Sequence, residues 1–378
     1  MKTKPSLLLM VVMLMFPQIV ETIYSPALAS IAQSFYVSDA QAAQTMSVYF
    51  LAFAIGVVIW GVLADRLGRR PTMIIGLFIY GCASLVAMQT KSFDVIMIAR
   101  VFSAFGIAVC SVVTQTMLRD TFSGAELGKV FSLMGMGISI SPVVGMLLGG
   151  QLTAVGGHHY VFLALFALAL VLFLYNLFKL PETQKESPRM QLGSLSVRML
   201  KDSHIWLSGL LIALYNIALF SYYQLGAFTF GELGFSPAQF GYSGIVLGFG
   251  TLLGSYLNKA LLSKLVSQRS LLQLSAMLLI SGAIGVYTIS DSIWFVAPMM
   301  LVVMSFGVAI PNVLTAALID YQQDAGSAGA LFGLLYYLLI GGGLGLAGGI
   351  HHLGMVLIVC GGVTVLVTLV HQQLQRAY

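Results

Sequence analysis

Gly61-Val62-Leu63-Ala64-Asp65-Arg66-Leu67-Gly68-Arg69-Arg70-Pro71 gathers Asp65, Arg66, Arg69 and Arg70 into one turn of a chain that is only 8% charged. The sequence on either side of it is almost wholly apolar. Soluble domains carry roughly 25% charged residues. A loop this short cannot carry its cations through lipid, so the stretch reads as a tight cytoplasmic turn between two membrane helices.

Composition agrees with that turn. The chain of 378 residues is 58% apolar, with a mean hydropathy of +0.94. A helix that crosses the hydrocarbon core needs about 20 largely apolar residues, because its backbone groups must be satisfied internally. By that measure spans fall at Ser6 to Ala29, Gln41 to Ala64, Thr72 to Gln89, Val95 to Met117, Gly128 to Leu152 and Tyr160 to Leu180. A second set falls at Ile205 to Phe230, Ala238 to Leu257, Leu271 to Ile289, Ile293 to Leu318, Ala328 to Ile350 and Met355 to Val370. The expectation is an all-α membrane protein of twelve transmembrane helices in two pseudo-symmetric six-helix bundles. The bundles are residues 1–183 and 204–378, with a cytoplasmic linker at 184–203.

Lys and Arg set the orientation. One side holds Lys2, Lys4, Arg66, Arg69, Arg70, Arg119, Lys129, Lys179, Lys185, Arg189, Arg198, Lys201, Lys259, Lys264, Arg269 and Arg376; the other holds only Lys91. Both termini are therefore expected in the cytoplasm. The basic balance is a topological signal, and no nucleic-acid partner follows from it. The N-terminus resembles a secretory signal, with Ala27-Leu28-Ala29 as a cleavage site. Cleavage would discard a helix and break the even count, so the segment is read as span one.

The polar stretch Pro181 to Ser203, with Glu182, Lys185, Glu186, Pro188, Arg189 and Lys201, divides the chain into parallel repeats. A faint copy of the charged turn recurs at Asn258 to Ser270. Another echo pairs Gly156-Gly157-His158-His159 with Gly348-Gly349-Ile350-His351-His352. Paired His can bind metal, but with no third ligand evident both pairs are read as exposed turns, and no metal or cofactor is expected. Cys82, Cys110 and Cys360 all fall inside spans without CxxC spacing and are read as core residues.

Glu21 is the acid that fits neither a loop nor a helix end. It lies roughly 10 Å below the outer end of span one at 1.5 Å per residue. An ionised carboxylate in lipid costs about 2.5–3.5 kcal/mol or more, which makes an intramembrane acid a functional candidate. Arg100 is the basic residue inside a span, roughly 9 Å past Asp94 by the same rise. An arginine does not give up its proton, so it needs an anion or a wet cavity. Glu21 and Arg100 are expected to pair, directly or through water, and protonation of Glu21 would break the pair.

Aromatic and amide groups mark the substrate-binding candidates: Gln18 and Tyr24 in span one, Tyr49 and Phe53 in span two. Tyr215, Asn216, Tyr222 and Tyr223 stand in span seven, and Phe306 and Asn312 in span ten. Apolar walls with few polar handles suit hydrophobic and cationic drugs. Glycines stud span five around Pro142 and Gly145 and thin span eleven, so close and movable helix contacts are expected there.

The pattern Gly-x-Leu-Ala-Asp-Arg-x-Gly-Arg-Arg at Gly61 to Arg70 resembles the signature loop of the major facilitator superfamily. Arg100 followed by Gly106 is similar to that family's fourth-helix motif, and Ser141-Pro142-Val143-Val144-Gly145 to its antiporter motif. Leu180-Pro181-Glu182-Thr183 matches the end of helix six in twelve-span drug exporters. Gln18 to Leu28 and Ala325 to Ala330 resemble a narrower group, the bicyclomycin-resistance type drug:proton antiporters, in which an acid is typical of the first-helix motif. The resemblance implies proton-coupled drug efflux across the bacterial inner membrane by alternating access. Glu21 and Arg100 would couple the proton, and Asp65, Arg69, Asp120, Pro142 and Gly145 would gate. Asp65 is expected to meet Arg69, Asp120 and the positive N-terminus of span eleven.

The implied partners are small-molecule drugs, protons and the lipid bilayer, with the protein as a monomer. The alternative within transporters is carriage of one polar metabolite, a sugar or an amino acid, which would want several buried charged or amide groups. A membrane enzyme would need a catalytic constellation, and no HExxH, Ser–His pair or acid cluster stands in the spans.

Overall fold

A computed structural model describes residues 5–184 and 192–377. Lys2, Lys4, Lys185, Glu186, Pro188 and Arg189 lie outside the described residues. Span one is α1 (Leu7–Tyr24), a 3-10 turn (Ser25–Ala27) and α2 (Leu28–Phe35). Then come α3 (Asp39–Leu67), α4 (Arg69–Gln89), α5 (Phe93–Thr121) and α6 (Gly124–Lys179). The second half comprises α7 (Leu192–Lys201), α8 (Ser203–Glu232), α9 (Pro237–Ser263), α10 (Gln268–Thr288), α11 (Val296–Ala317), α12 (Ala325–Ile350) and α13 (Leu353–Ala377).

Among the described residues, 11 helices are long and apolar enough to cross a membrane, and one of them runs for 56 residues. At 1.5 Å per residue such a helix is about twice the length a bilayer needs. It is broken at Gly156 (φ −145°, ψ 21°) and Gly157 (φ 61°, ψ −157°), where spans five and six meet. The crossings are thus twelve. Glycine is required at 157, because an L side chain rarely tolerates that φ. His158 follows directly, and its backbone N–H donates to Ser30 Oγ at 3.1 Å.

The chain divides into two compact units, Met1–Arg189 and Met190–Tyr378. In the first, α5 packs on α1, α3 and α4, and α6 packs on α1 and α4. In the second, α11 packs on α8, α9 and α10, while α12 packs on α8 and α13 on α8 and α10. The pairing order repeats. Inside the stretch expected as a polar linker, α7 forms a short helix that buries Leu195 and Met199, one turn apart, against its unit. Sequence hydropathy missed it because so few of its residues are apolar.

Candidate functional site

Pro17 and Pro26 bracket the polar part of span one. Proline has no N–H to donate. After Tyr24 the α-helix gives way to the 3-10 turn at Ser25–Ala27, and Thr22 Oγ1 donates to Gln18 O at 2.8 Å. The span expected as one helix therefore changes its winding just past its functional residues. Glu21 is 2% exposed and Tyr24 0%; Gln18 is half-buried.

Arg100, 2% exposed on α5, places its guanidinium carbon 3.9 Å from the ring centroid of Tyr24 and 4.3 Å from that of Tyr49. Cation–π contacts of this kind contribute about 2 kcal/mol or more when desolvated. The Tyr24 hydroxyl donates to Thr45 Oγ1 at 2.9 Å, so α1, α3 and α5 meet at one polar point. Tyr49 stacks on Phe53, with centroids 6.2 Å apart and 21° between the planes. Arg100 lies near enough for its charge to act on the Glu21 carboxyl. Yet Glu21 Oε2 and Arg100 Nε and Nη2 are buried without a hydrogen-bond partner. The expected neighbourhood is present, but these atoms form no direct bond, and two tyrosine rings hold the cation instead.

Span one is held from another side by α6. A methyl group added at Gly145 would collide with Thr22 Oγ1, and one added at Gly149 with the Ile23 carbonyl. Backbones can come this close only where the side chain is a hydrogen atom. Ser141, one turn before Gly145, is buried, and Pro142 is half-buried in the unbroken part of α6.

In the second unit the candidate side chains are largely occupied by their own bundle. The Tyr215 hydroxyl pairs with Ser275 Oγ at 2.7 Å, and Tyr222 donates to Ser243 Oγ at 2.6 Å. Asn216 Nδ2 donates to Ile212 O at 2.8 Å. Asn312 Nδ2 serves both Asn258 Oδ1 and Val308 O, each at 2.7 Å, clamping α11 to α9. Tyr223 is buried beside Phe220 and Tyr222, and Phe306 is half-buried on α11.

The charged turn is a single residue long. Gly68 (φ 102°) joins α3 to α4. Arg69, 2% exposed, bonds Asp65 Oδ1 through Nη1 at 2.6 Å and Asp120 Oδ2 through Nε at 2.9 Å. Nη1 also donates to Ala64 O at 2.7 Å, which caps the end of α3. Asp65 and Asp120 thus meet through Arg69. The residue that sequence reading left without a role is Glu182. Its carboxylate accepts the N–H groups of Arg69 at 3.1 Å and Arg70 at 3.0 Å, at the positive start of α4. The next residues close over the cluster, with Gln184 Nε2 on Asp65 O at 2.7 Å. Burial pushes the Glu182 carboxyl up, but the N–H groups of Gln184, Arg70, Arg69 and Thr183 outweigh it and hold the carboxyl below its usual range. An acid two residues past a helix end, in a chain with an Arg-Arg helix start, is the signal that could have found it.

Among the described residues no group of three or more His, Cys, Asp or Glu could hold a metal ion. The arrangement can still hold and release a proton. Glu21 has an unbonded carboxylate oxygen, and the neighbouring cation is permanent.

A family model described as Major Facilitator Superfamily matches residues 10–370. An uncharacterized transporter of Rickettsia bellii (strain RML369-C) is 31% identical over 85% of this chain and 84% of its own length. Multidrug resistance protein D of Escherichia coli (strain K12) is 32% identical over 49% of this chain and 48% of its own. In fold, the chain is similar to a D-xylose-proton symporter, with a TM-score of 0.76 and 17% identity, covering 97% of this chain and 96% of that one. The twelve crossings, the repeated bundle and the signature turn have their place in that match: the chain belongs to the major facilitator superfamily of membrane transporters.

Proposed function

We propose that the protein exports hydrophobic and cationic drugs across the bacterial inner membrane in exchange for protons, by alternating access, with both termini in the cytoplasm. The observation that carries this reading is the burial of Glu21 beside Arg100 in a span that is otherwise apolar. An acid there costs folding energy that a merely structural residue would not need. The drug reading is supported by the aromatic lining of α1 and α3 and by the name of the Escherichia coli relative. When Glu21 takes a proton it ceases to attract Arg100, and that change in charge is the coupling step. Asp65, Arg69 and Asp120 form the gating cluster at the cytoplasmic face, with Pro142 and Gly145 as the contact along which span one shifts. The protein works as a monomer.

The test is drug-dependent proton movement in proteoliposomes that hold the purified protein. Each of a panel of lipophilic cationic dyes is expected to drive proton release from the side of dye uptake, and an uncoupler is expected to end uphill dye transport. Dye transport that ignores the proton gradient, or transport confined to one sugar or amino acid, contradicts the reading.

A further inference from the structure

α4 and α5 leave a groove of about 350 Å³ on the surface of the first unit. Phe78, Cys82 and Val86 line it from successive turns of α4, and Val95, Ile98 and Phe102 line it from α5. Phe78, Val86, Ile98 and Phe102 are exposed, as side chains facing hydrocarbon should be. The floor is made of Ala83 and Ala99, and both alanines also line a narrow crevice just behind, with Tyr80, Ser84, Arg100 and Ser103. Only two methyl groups therefore stand between an apolar groove open to lipid and a buried, permanently charged guanidinium. Arg100 is 2% exposed, and its Nε and Nη2 have no hydrogen-bond partner. Unmatched donors on a buried cation are costly, and an anion delivered along the groove would satisfy them.

We propose that this groove is a side entrance from the bilayer for a single-chain lipophilic anion, its tail lying between α4 and α5 and its carboxylate reaching Arg100 between Ala83 and Ala99. Charge complementarity selects the occupant. A neutral tail gains nothing from Arg100, a cation is repelled by it, and a phospholipid's phosphate is held at the bilayer surface, while Arg100 lies about 9 Å along the helix past Asp94. Small residues line both helices at the constriction, so parting them there loses little packing. The inference does not rest on proton coupling, because it concerns what Arg100 holds and not what Glu21 releases.

The experiment uses the full-length protein in lipid nanodiscs and a long-chain carboxylate with a diazirine near the end of its tail, with crosslinks mapped by mass spectrometry. Crosslinks are expected on the α4 and α5 peptides that carry Phe78 and Phe102. Unlabelled dodecanoate should compete, whereas dodecanol, dodecyltrimethylammonium and added anionic phospholipid should not. Arg100→Gln should weaken dodecanoate competition at least about tenfold, the loss of a charged hydrogen bond, and Arg100→Lys should retain most of it. Ala99→Leu should abolish the carboxylate preference while leaving Arg100 in place, which keeps the test sound if Arg100→Gln folds poorly. Glu21→Gln, which ends coupling, should leave the crosslinks intact, so the two readings can fail separately. Equal competition by alcohol and carboxylate, or competition by anionic phospholipid, would show a groove that holds bilayer tails alone and overturn the proposal.

Discussion

The two halves of this transporter share a helix pairing but differ in how they use charge. At the turn that joins α3 to α4, Arg69 is gripped by Asp65 and Asp120, and Glu182 caps the helix that follows. At the matching place in the second half the partners are amides: Asn312 bonds Asn258, Gln268 bonds the Asn312 carbonyl, and Arg269 rests on Gln372. The contrast recurs deeper in the bundles. The first half buries Glu21 and Arg100; the second closes comparable polar contacts with neutral hydroxyls, Tyr215 on Ser275 and Tyr222 on Ser243. Neutral pairs hold their geometry whatever the proton supply, whereas ionic ones change when a carboxylate is neutralised. One half is thus equipped to respond to protons and the other to stay as it is.

The largest effect that could break this comparison is at Arg100. Arg100→Ala removes the ring contacts and leaves Glu21 without a counter-charge, at a cost of about 3–5 kcal/mol for a tightly buried pair. The double variant Glu21→Gln with Arg100→Ala should be less destabilised than Arg100→Ala alone. Thermal melts in detergent measure this, and additive losses would mean that the two residues do not interact.

Next comes Asn312→Asp, which puts a charge where the second half has none. It loses two buried N–H donors and sets a carboxylate against Asn258 Oδ1, so about 1–3 kcal/mol of stability should be lost. A neutral effect would show that this half tolerates charge as readily as the first. Asp65→Asn is milder, since Arg69 keeps Asp120 and Asp65 is 34% exposed. It should cost about 0.2–1 kcal/mol in stability, while transport falls far more than drug binding, as expected of a gate. Equal losses of binding and transport would remove Asp65 from the gating cluster.

The smallest expected effect is at Glu182, and it has a pH signature. Its folded-state pKa lies below the unfolded value. Its contribution is therefore fully present above the unfolded pKa of about 4.3 and is lost as pH falls through the lower folded value. Glu182→Gln should cost about 0.3–1 kcal/mol at neutral pH, and the gap from wild type should close below about pH 4. A gap that persists in acid would mean that Glu182 acts through shape and not charge.

Much of the fold was legible because hydropathy is a long, redundant signal. Each span repeats it over some twenty residues, and the charged turn fixed where one ended. The break at Gly157 was foreshadowed by the Gly-Gly pair, but its backbone angles are a local matter that hydropathy does not encode. Glu21 and Arg100 stood out because charge in lipid is costly. Their partners did not, since a tyrosine ring over a guanidinium leaves no spacing pattern. Tyr215, Tyr222 and Asn312 show the converse. Polar groups in a span look like substrate ligands in sequence, yet each also satisfies a neighbouring helix, and only the packing tells which. Glu182 was hidden because its contact reaches across 113 positions of sequence to Arg69.

The central claim is that Glu21 exchanges the proton that drives transport. Glu21→Gln keeps the shape of the side chain without its charge, so the purified variant reconstituted in proteoliposomes tests it most directly. With an imposed pH gradient, the account predicts that Glu21→Gln binds dye with near wild-type affinity but neither accumulates it uphill nor moves protons in response. Uphill dye transport by Glu21→Gln at the wild-type rate, with protons still moving, would contradict it.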